Sequence, residues 1–149
     1  MDSIAFLLSD VSRLLRRRFD ARARSLGVSR AQWRVLFALS RNEGINQTGL
    51  AEWLEVETIT LCRMVDRLAE AGLVERRADP ADRRAWRLYL TDQAQPLLAR
   101  LTALGDAVVA EAVAGVDPAE LDRAVATLTA MRNNLSARVV AAPSRLGMA

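Results

Sequence analysis

The sequence predicts a mainly α-helical protein carrying one small β-hairpin, an α+β arrangement. Three observations predict it. Apolar residues recur at spacings of three and four along most of the 149 residues, with only four Pro and seven Gly to interrupt them. From Leu73 to Leu90 the pattern changes to strand character on both sides of an Asp79-Pro80 turn signal. Between Thr48 and Thr91 the order reads short helix, tight turn, second helix, then two strands around an arginine-rich loop. That order is the pattern of a winged helix-turn-helix, with further helices at both ends of the chain.

The first helix is expected from Ile4 to about Ser25. Ile4, Leu7, Leu8, Val11, Leu14, Leu15 and Phe19 form its apolar stripe, and Arg13, Arg16, Arg17 and Arg22 lie opposite. Gly27 ends it, being free to take positive φ. Ser29 can cap a second helix with Trp33, Leu36, Phe37 and Leu39 as its apolar positions. The polar run Arg41-Asn42-Glu43-Gly44 breaks that helix.

Asn46 to Leu54 is expected as a short third helix with Leu50, Ala51 and Leu54 facing inward. After a turn at Glu55-Val56-Glu57, Thr58 is expected to cap a fourth helix that runs to about Ala71 and stops at Gly72. Its buried row is Leu61, Val65 and Leu68; Ile59, Thr60, Arg63 and Arg67 turn outward. Strands are expected at Leu73–Arg77 and Ala85–Leu90, with Trp86, Leu88 and Leu90 alternating with Arg87 and Tyr89.

Thr91-Asp92 opens a long helix to about Gly115, and Pro96 near its first turn implies a slight kink or a later start. Asp117-Pro118-Ala119-Glu120 is a strong helix start, with Leu121, Val125, Leu128, Leu135 and Val139 as the stripe that follows. The tail from Ala142 is expected to be loose. The chain thus divides into a winged unit, 29–91, and helical ends, 1–28 and 92–149. Apolar stripes on those ends lie too far from the small winged unit for it to cover them, so symmetric pairing of two chains is expected.

Composition narrows the function classes. Half the residues are apolar and 26% are charged, ordinary values for a soluble globular protein. The 21 basic residues are all Arg and face 18 acids, so net charge of +3 is weak support for a polyanionic partner and position has to carry the argument. One Cys and no His exclude a Cys–His or Ser–His catalytic pair, leave no zinc-ligand set, and rule out a disulfide within the chain. No phosphate-binding glycine loop or nucleophile elbow is present, so neither an enzyme nor a cofactor is expected. The start, MDSIAFLLSD, has an acid where a signal peptide needs a positive charge, and no run approaches the ~18 apolar residues of a membrane span. A cytoplasmic protein is expected.

The arginines are placed where double-stranded DNA would be read. On the fourth helix Thr60, Arg63 and Arg67 share the outward side, and Thr58 at its start, like Thr60, could hydrogen-bond phosphate or base edges. A bidentate Arg63 on guanine is worth about 1–3 kcal/mol of discrimination. The alternative is that this face is merely solvated. Between Leu73 and Leu90 five Arg stand against three acids. Arg76, Arg77, Asp82, Arg83, Arg84 and Arg87 belong to this wing, with Asp82-Arg83-Arg84 at its tip. An arginine there can enter a narrow minor groove. Asp82 is expected to orient a neighbouring Arg; the bland alternative is a surface ion pair worth little.

These residues resemble the MarR family of bacterial transcription regulators, and most closely its SlyA-like branch. The similar pieces are Leu50-Ala51, Leu61 with Arg63, Val65-Asp66-Arg67-Leu68, Ala71-Gly72-Leu73-Val74, Arg76, Asp82-Arg83-Arg84, and Leu90-Thr91 followed by Ala94-Gln95-Pro96-Leu97-Leu98. Ala94 departs from the Gly of much of the wider family and fits the SlyA-like branch. The resemblance implies a homodimer held by the terminal helices, gripping a pseudo-palindromic operator, most often as a repressor. It implies Arg63 as the reading arginine, Arg83 and Arg84 as the wing pair, and Asp82 as their orienting acid. It also implies release by a small aromatic or phenolic acid. Trp33 with Arg16 or Arg17 can make an apolar slot with a carboxylate anchor, or Trp33 is plain core and the arginines a solvated face.

Two further readings stand beside this one. A winged-helix protein–protein module would need an apolar recognition face, and only Ile59 and Met64 lean that way. Cys62 on the recognition helix is expected to be a small packing residue rather than a redox sensor.

Overall fold

Ser3 starts the first helix: its hydroxyl accepts a hydrogen bond from the Ala5 N–H at 3.3 Å. A computed structural model describes residues 2–140, with side chains to residue 136. Helix α1 spans Ile4–Ala23 and passes through a 3-10 turn, Arg24–Leu26, to Gly27 in the left-handed region. A capping box sets α2, Arg30–Arg41: the Ser29 hydroxyl accepts from the Gln32 N–H, and the Gln32 side chain accepts from the Ser29 N–H at 2.9 Å. Asn46 caps α3, Gln47–Leu54, through a 2.7 Å bond from the Gly49 N–H.

Helix α4 spans Thr58–Glu70, and here the expected cap is corrected. Glu57 occupies the cap position and Thr58 is already helical. The reason lies in the turn. Glu55 takes φ 55° and ψ 46°, and the Val56 N–H returns to the Ala51 carbonyl at 3.0 Å, so the chain re-enters helical geometry at Thr58.

Strands β1, Val74–Ala78, and β2, Trp86–Leu90, form an antiparallel hairpin with Val74 opposite Leu90 and Ala78 opposite Trp86. The alternation expected of β2 holds for Leu88 and Leu90, which are buried, but Trp86 is 47% exposed. It occupies the last rung toward the hairpin tip, beyond the reach of the core. The segment before α3 flanks the other edge of β2: Gly44 N–H donates to Leu88 O, Leu88 N–H to Ile45 O, and Leu90 N–H to the Glu43 carboxylate. The polar run that breaks α2 thereby gives β2 a second neighbour.

Helix α5, Ala94–Ala112, starts later than Thr91, so Pro96 falls in its first turn where a missing N–H costs least. Helix α6, Pro118–Val140, follows Asp117, whose carboxylate accepts from the Ala119 N–H at 2.8 Å. The tail from Ala142 lies outside the described residues, as does the side chain of Val139.

Two compact units are present, Met1–Ala110 and Glu111–Ala149. In the first, one core joins Val35, Leu36 and Leu39 of α2, Leu50 of α3, Leu61, Val65 and Leu68 of α4, and Leu88 of β2, all at 0% exposure. Each helix of the helix-turn-helix thus buries its apolar row completely. By contrast, Ile4, Phe6, Leu7, Val11 and Leu14 on α1 are exposed. In the second unit Val125, Leu128 and Leu135 are exposed too. No helix among the described residues is long and apolar enough to cross a membrane.

Gly72 joins α4 to β1 at φ +74°, and a Cβ there would stand 2.5 Å from Oε1 of Gln93. Its carbonyl also accepts from the Thr91 hydroxyl, tying the base of the hairpin to the start of α5. Gly72→Ala is expected to lower stability by about 1–3 kcal/mol through the left-handed backbone alone, read as a lower urea midpoint at unchanged m-value.

Candidate nucleic-acid interface

The back of α4 is anchored by Leu61, Val65 and Leu68, so its front is fixed in direction. That front carries Thr58, Ile59, Thr60, Arg63 and Arg67, all exposed. Among the described residues, no side-chain hydrogen bond or ion pair engages the guanidinium of Arg63 or Arg67. Met64 packs against the core, leaving Ile59, at 65% exposure, as the apolar member of the face. Cys62 is half-buried; the Gln47 amide approaches its sulfur at 3.4 Å, consistent with a packing role.

Arg76 of β1 turns inward instead. Its Nη2 stands 2.6 Å from the Asp66 carboxylate and donates to the Cys62 carbonyl at 3.3 Å, while its Nε donates to the Gln47 side chain at 2.7 Å. One guanidinium thus joins α3, α4 and β1. Its side chain is 24% exposed, so its charge is largely spent within the protein.

The wing sorts its charges in the same way. Arg77 pairs with Glu75 and lies over the Tyr89 ring at 4.0 Å from the centroid. Arg87 pairs with Asp79 at 3.2 Å. The Ala81 N–H, and then Arg87, hold the Asp79 carboxyl below the usual carboxylate range, and the same pair holds Arg87 above its ordinary value. Asp82 accepts from the backbone N–H of Arg84 at 2.9 Å, so what it orders is the turn. An Asp82–guanidinium hydrogen bond is not found among the described residues. Arg83 and Arg84 stand exposed at that turn with no side-chain partner among the described residues.

The predicted contact residues therefore separate. Arg63, Arg67, Arg83 and Arg84 present uncompensated charge. Arg76, Arg77 and Arg87 are committed to internal pairs that brace the hairpin. Sequence reasoning did not single out Gln47 as a site residue. Nor did it give Asp66, noted only within a similar run, its role as partner of Arg76. Nothing in local pattern marks either, because they meet Arg76 across 29 and 10 positions.

At the other proposed site, Trp33 is packed. Its ring meets Phe19 edge-on at 4.8 Å and Phe37 at 6.0 Å. Its N–H donates to Asp20 at 2.7 Å, and Arg30 donates to the second Asp20 oxygen at 2.7 Å. Arg16 and Arg17 are exposed on α1, with Arg16 one turn before Asp20. A hollow of about 370 Å³ opens elsewhere, at the α3–α4 turn, lined by Thr48, Ala51, Glu52, Glu55, Val56, Glu57 and Thr58. Its three glutamates suit no anionic ligand.

A MarR family model matches residues 26–85. Over the whole fold, the chain is 31% identical to a MarR family transcriptional regulator from Silicibacter pomeroyi, covering 87% of this chain and 88% of that one at a TM-score of 0.74. The chain belongs to the MarR family. It is also 36% identical to the transcriptional regulator PA3341, over 90% of this chain and 98% of that one, at a TM-score of 0.76. Apo MarR from E. coli is 26% identical over 91% of this chain and 97% of that one, again at 0.76. These relatives are regulators, and a MarR family chain is not an enzyme.

In this MarR family chain Asp20 links α1 to α2. Burial alone would raise its carboxyl; the Arg30 and Trp33 hydrogen bonds, with the Arg30 and Arg24 charges, outweigh that and hold it below its usual range. A depressed folded-state value stabilises above the unfolded value of about 3.9 and is lost as pH falls through the folded value. Asp20→Asn is therefore expected to be less stable than the parent at pH 7, with the gap closing as pH is lowered below about 4. Urea unfolding across that range checks this; a gap independent of pH would assign the loss to something other than the charge.

Proposed function

We propose that the chain is a homodimeric, sequence-specific DNA-binding repressor that grips a pseudo-palindromic operator. The observation that carries this reading is the placement of four uncompensated arginines. Arg63 and Arg67 lie on a helix whose back is completely buried, and Arg83 and Arg84 lie at the hairpin turn beside Asp82. Thr58 and Thr60 add hydroxyls to the helix face. A helix of this kind suits a major groove, and arginines on a turn suit phosphates and a narrow minor groove. Arg76, Arg77 and Arg87 serve this reading indirectly, by bracing the wing.

Homodimer formation is supported by exposed apolar side chains in each unit: Phe6 at 73% on α1, and Leu135 at 68% on α6. Residues 1–28 and 92–149 are the proposed dimerisation region, and 29–91 the DNA-binding unit. Two such units can meet half-sites about one DNA turn apart. Such a protein works in the cytoplasm, on the nucleoid. The DRR and LT pieces, with Ala94 fully buried at the start of α5, favour the SlyA-like branch. A small aromatic or phenolic acid remains the proposed effector class. Because Trp33 is packed and its N–H is engaged by Asp20, the carboxylate of such a ligand would be met by the exposed Arg16 or Arg17 of α1.

A palindrome selected from random duplexes by the purified chain should bind tightly, with affinity falling steeply as salt rises. Arg83→Ala and Arg84→Ala should each weaken binding to all sequences and lower the slope of log affinity against log salt by about one. Arg63→Ala should instead narrow the gap between selected and unrelated duplexes by about 1–3 kcal/mol. Equal affinity for all duplexes, or indifference to all three substitutions, would remove the reading.

A further inference from the structure

Ile59 is not explained by the fold. It sits in the first turn of α4 at 65% exposure, while Leu61, Val65 and Leu68 are fully buried and Met64 packs against the same core. Helix propensity does not favour it either, since a β-branched residue is worse there than Ala. Its position is informative. It precedes Arg63 by one helical turn and adjoins Thr60, so it shares the face that carries Arg63 and Arg67.

An apolar protein partner fits this face poorly. The positions that continue it are Arg63, Asp66, Arg67 and Glu70, all exposed and charged, with Asp66 engaged by Arg76. One isolated aliphatic group among guanidinia has a different complement. The floor of a major groove is polar except for the C5-methyl group of thymine. The residues of a recognition helix nearest its N-terminus are those that reach base edges.

We propose that Ile59, one α-helical turn before Arg63, is a specificity-determining residue that packs on a thymine methyl in each half-site. This rests on the DNA-reading function proposed above and adds one base preference to it. The contact selects T·A over C·G by burying a methyl group. Removing that methyl costs about fourfold per half-site, the size of one buried methyl.

The test uses the duplex enriched from a random pool by the full-length chain, and copies in which each dT in turn is replaced symmetrically by dU. Base pairing is kept and only the methyl is lost. For the parent chain, one symmetric position should weaken binding by about fifteenfold across two half-sites, and the other positions should be near neutral. Ile59→Ala, at a largely exposed residue, should not lower the thermal midpoint, should bind the thymine duplex more weakly, and should respond less than twofold to uracil at that position. The proposal falls if every uracil duplex binds the parent equally, or if Ile59→Ala keeps the parent's sensitivity. It also falls if Ile59→Ala leaves DNA affinity unchanged, which would turn this residue toward a protein partner. Failure of the pool to enrich any duplex removes the regulator reading itself; an enriched duplex without a methyl effect removes only the role of Ile59.

Discussion

The guanidinium of Arg76 is the point on which the geometry of the proposed DNA-facing surface depends. A two-stranded hairpin has little stability of its own and no fixed angle to its neighbours. Here three partners fix it: the Asp66 carboxylate, the Cys62 carbonyl and the Gln47 side chain. The planar fork of arginine can meet all three at once, which a lysine ammonium would do less well. Beneath it, the buried rows of α3 and α4 hold the helix-turn-helix as one body. The far edge of β2 is held by the 43–46 segment. The wing is thus clamped from both sides, and the turn that carries Arg83 and Arg84 inherits its position from these contacts.

That clamp explains why so many arginines can coexist in a chain of near-balanced charge. An arginine already paired has little to offer phosphate, while an unpaired and exposed one keeps its full interaction with a polyanion. Arg76, Arg77 and Arg87 belong to the first kind; among the described residues Arg63, Arg67, Arg83 and Arg84 belong to the second. Asp82 does not neutralise the wing arginines. It holds the turn through the Arg84 N–H and leaves both guanidinia exposed.

Much of this was legible in the sequence. The helical stripes placed the helices to within a few residues, and the row Leu61, Val65 and Leu68 was read correctly because period 3.6 leaves one fully buried line on a short helix. Asp117-Pro118 marked α6 through local chemistry alone. Misreadings arose where tertiary contacts decide. Thr58 looked like a cap because threonine favours that position, yet the left-handed Glu55 resets the turn so that Glu57 takes it. Trp86 continued an alternation that the core does not extend far enough to use. The roles of Arg76, Gln47 and Asp66 were invisible, since a charge pair across strands and helices leaves no periodic trace. Residue type told where arginines stood, but not which were already engaged.

The most direct measurement is the salt dependence of DNA binding for Arg76→Ala set beside Arg83→Ala, on the same selected duplex. If Arg76 acts only by positioning the wing, its removal should weaken binding while the slope of log affinity against log salt stays at the parent value. Arg83→Ala should lower that slope by about one. A slope lowered as much by Arg76→Ala as by Arg83→Ala would show that Arg76 contacts phosphate itself, and would contradict the separation between bracing and reading arginines.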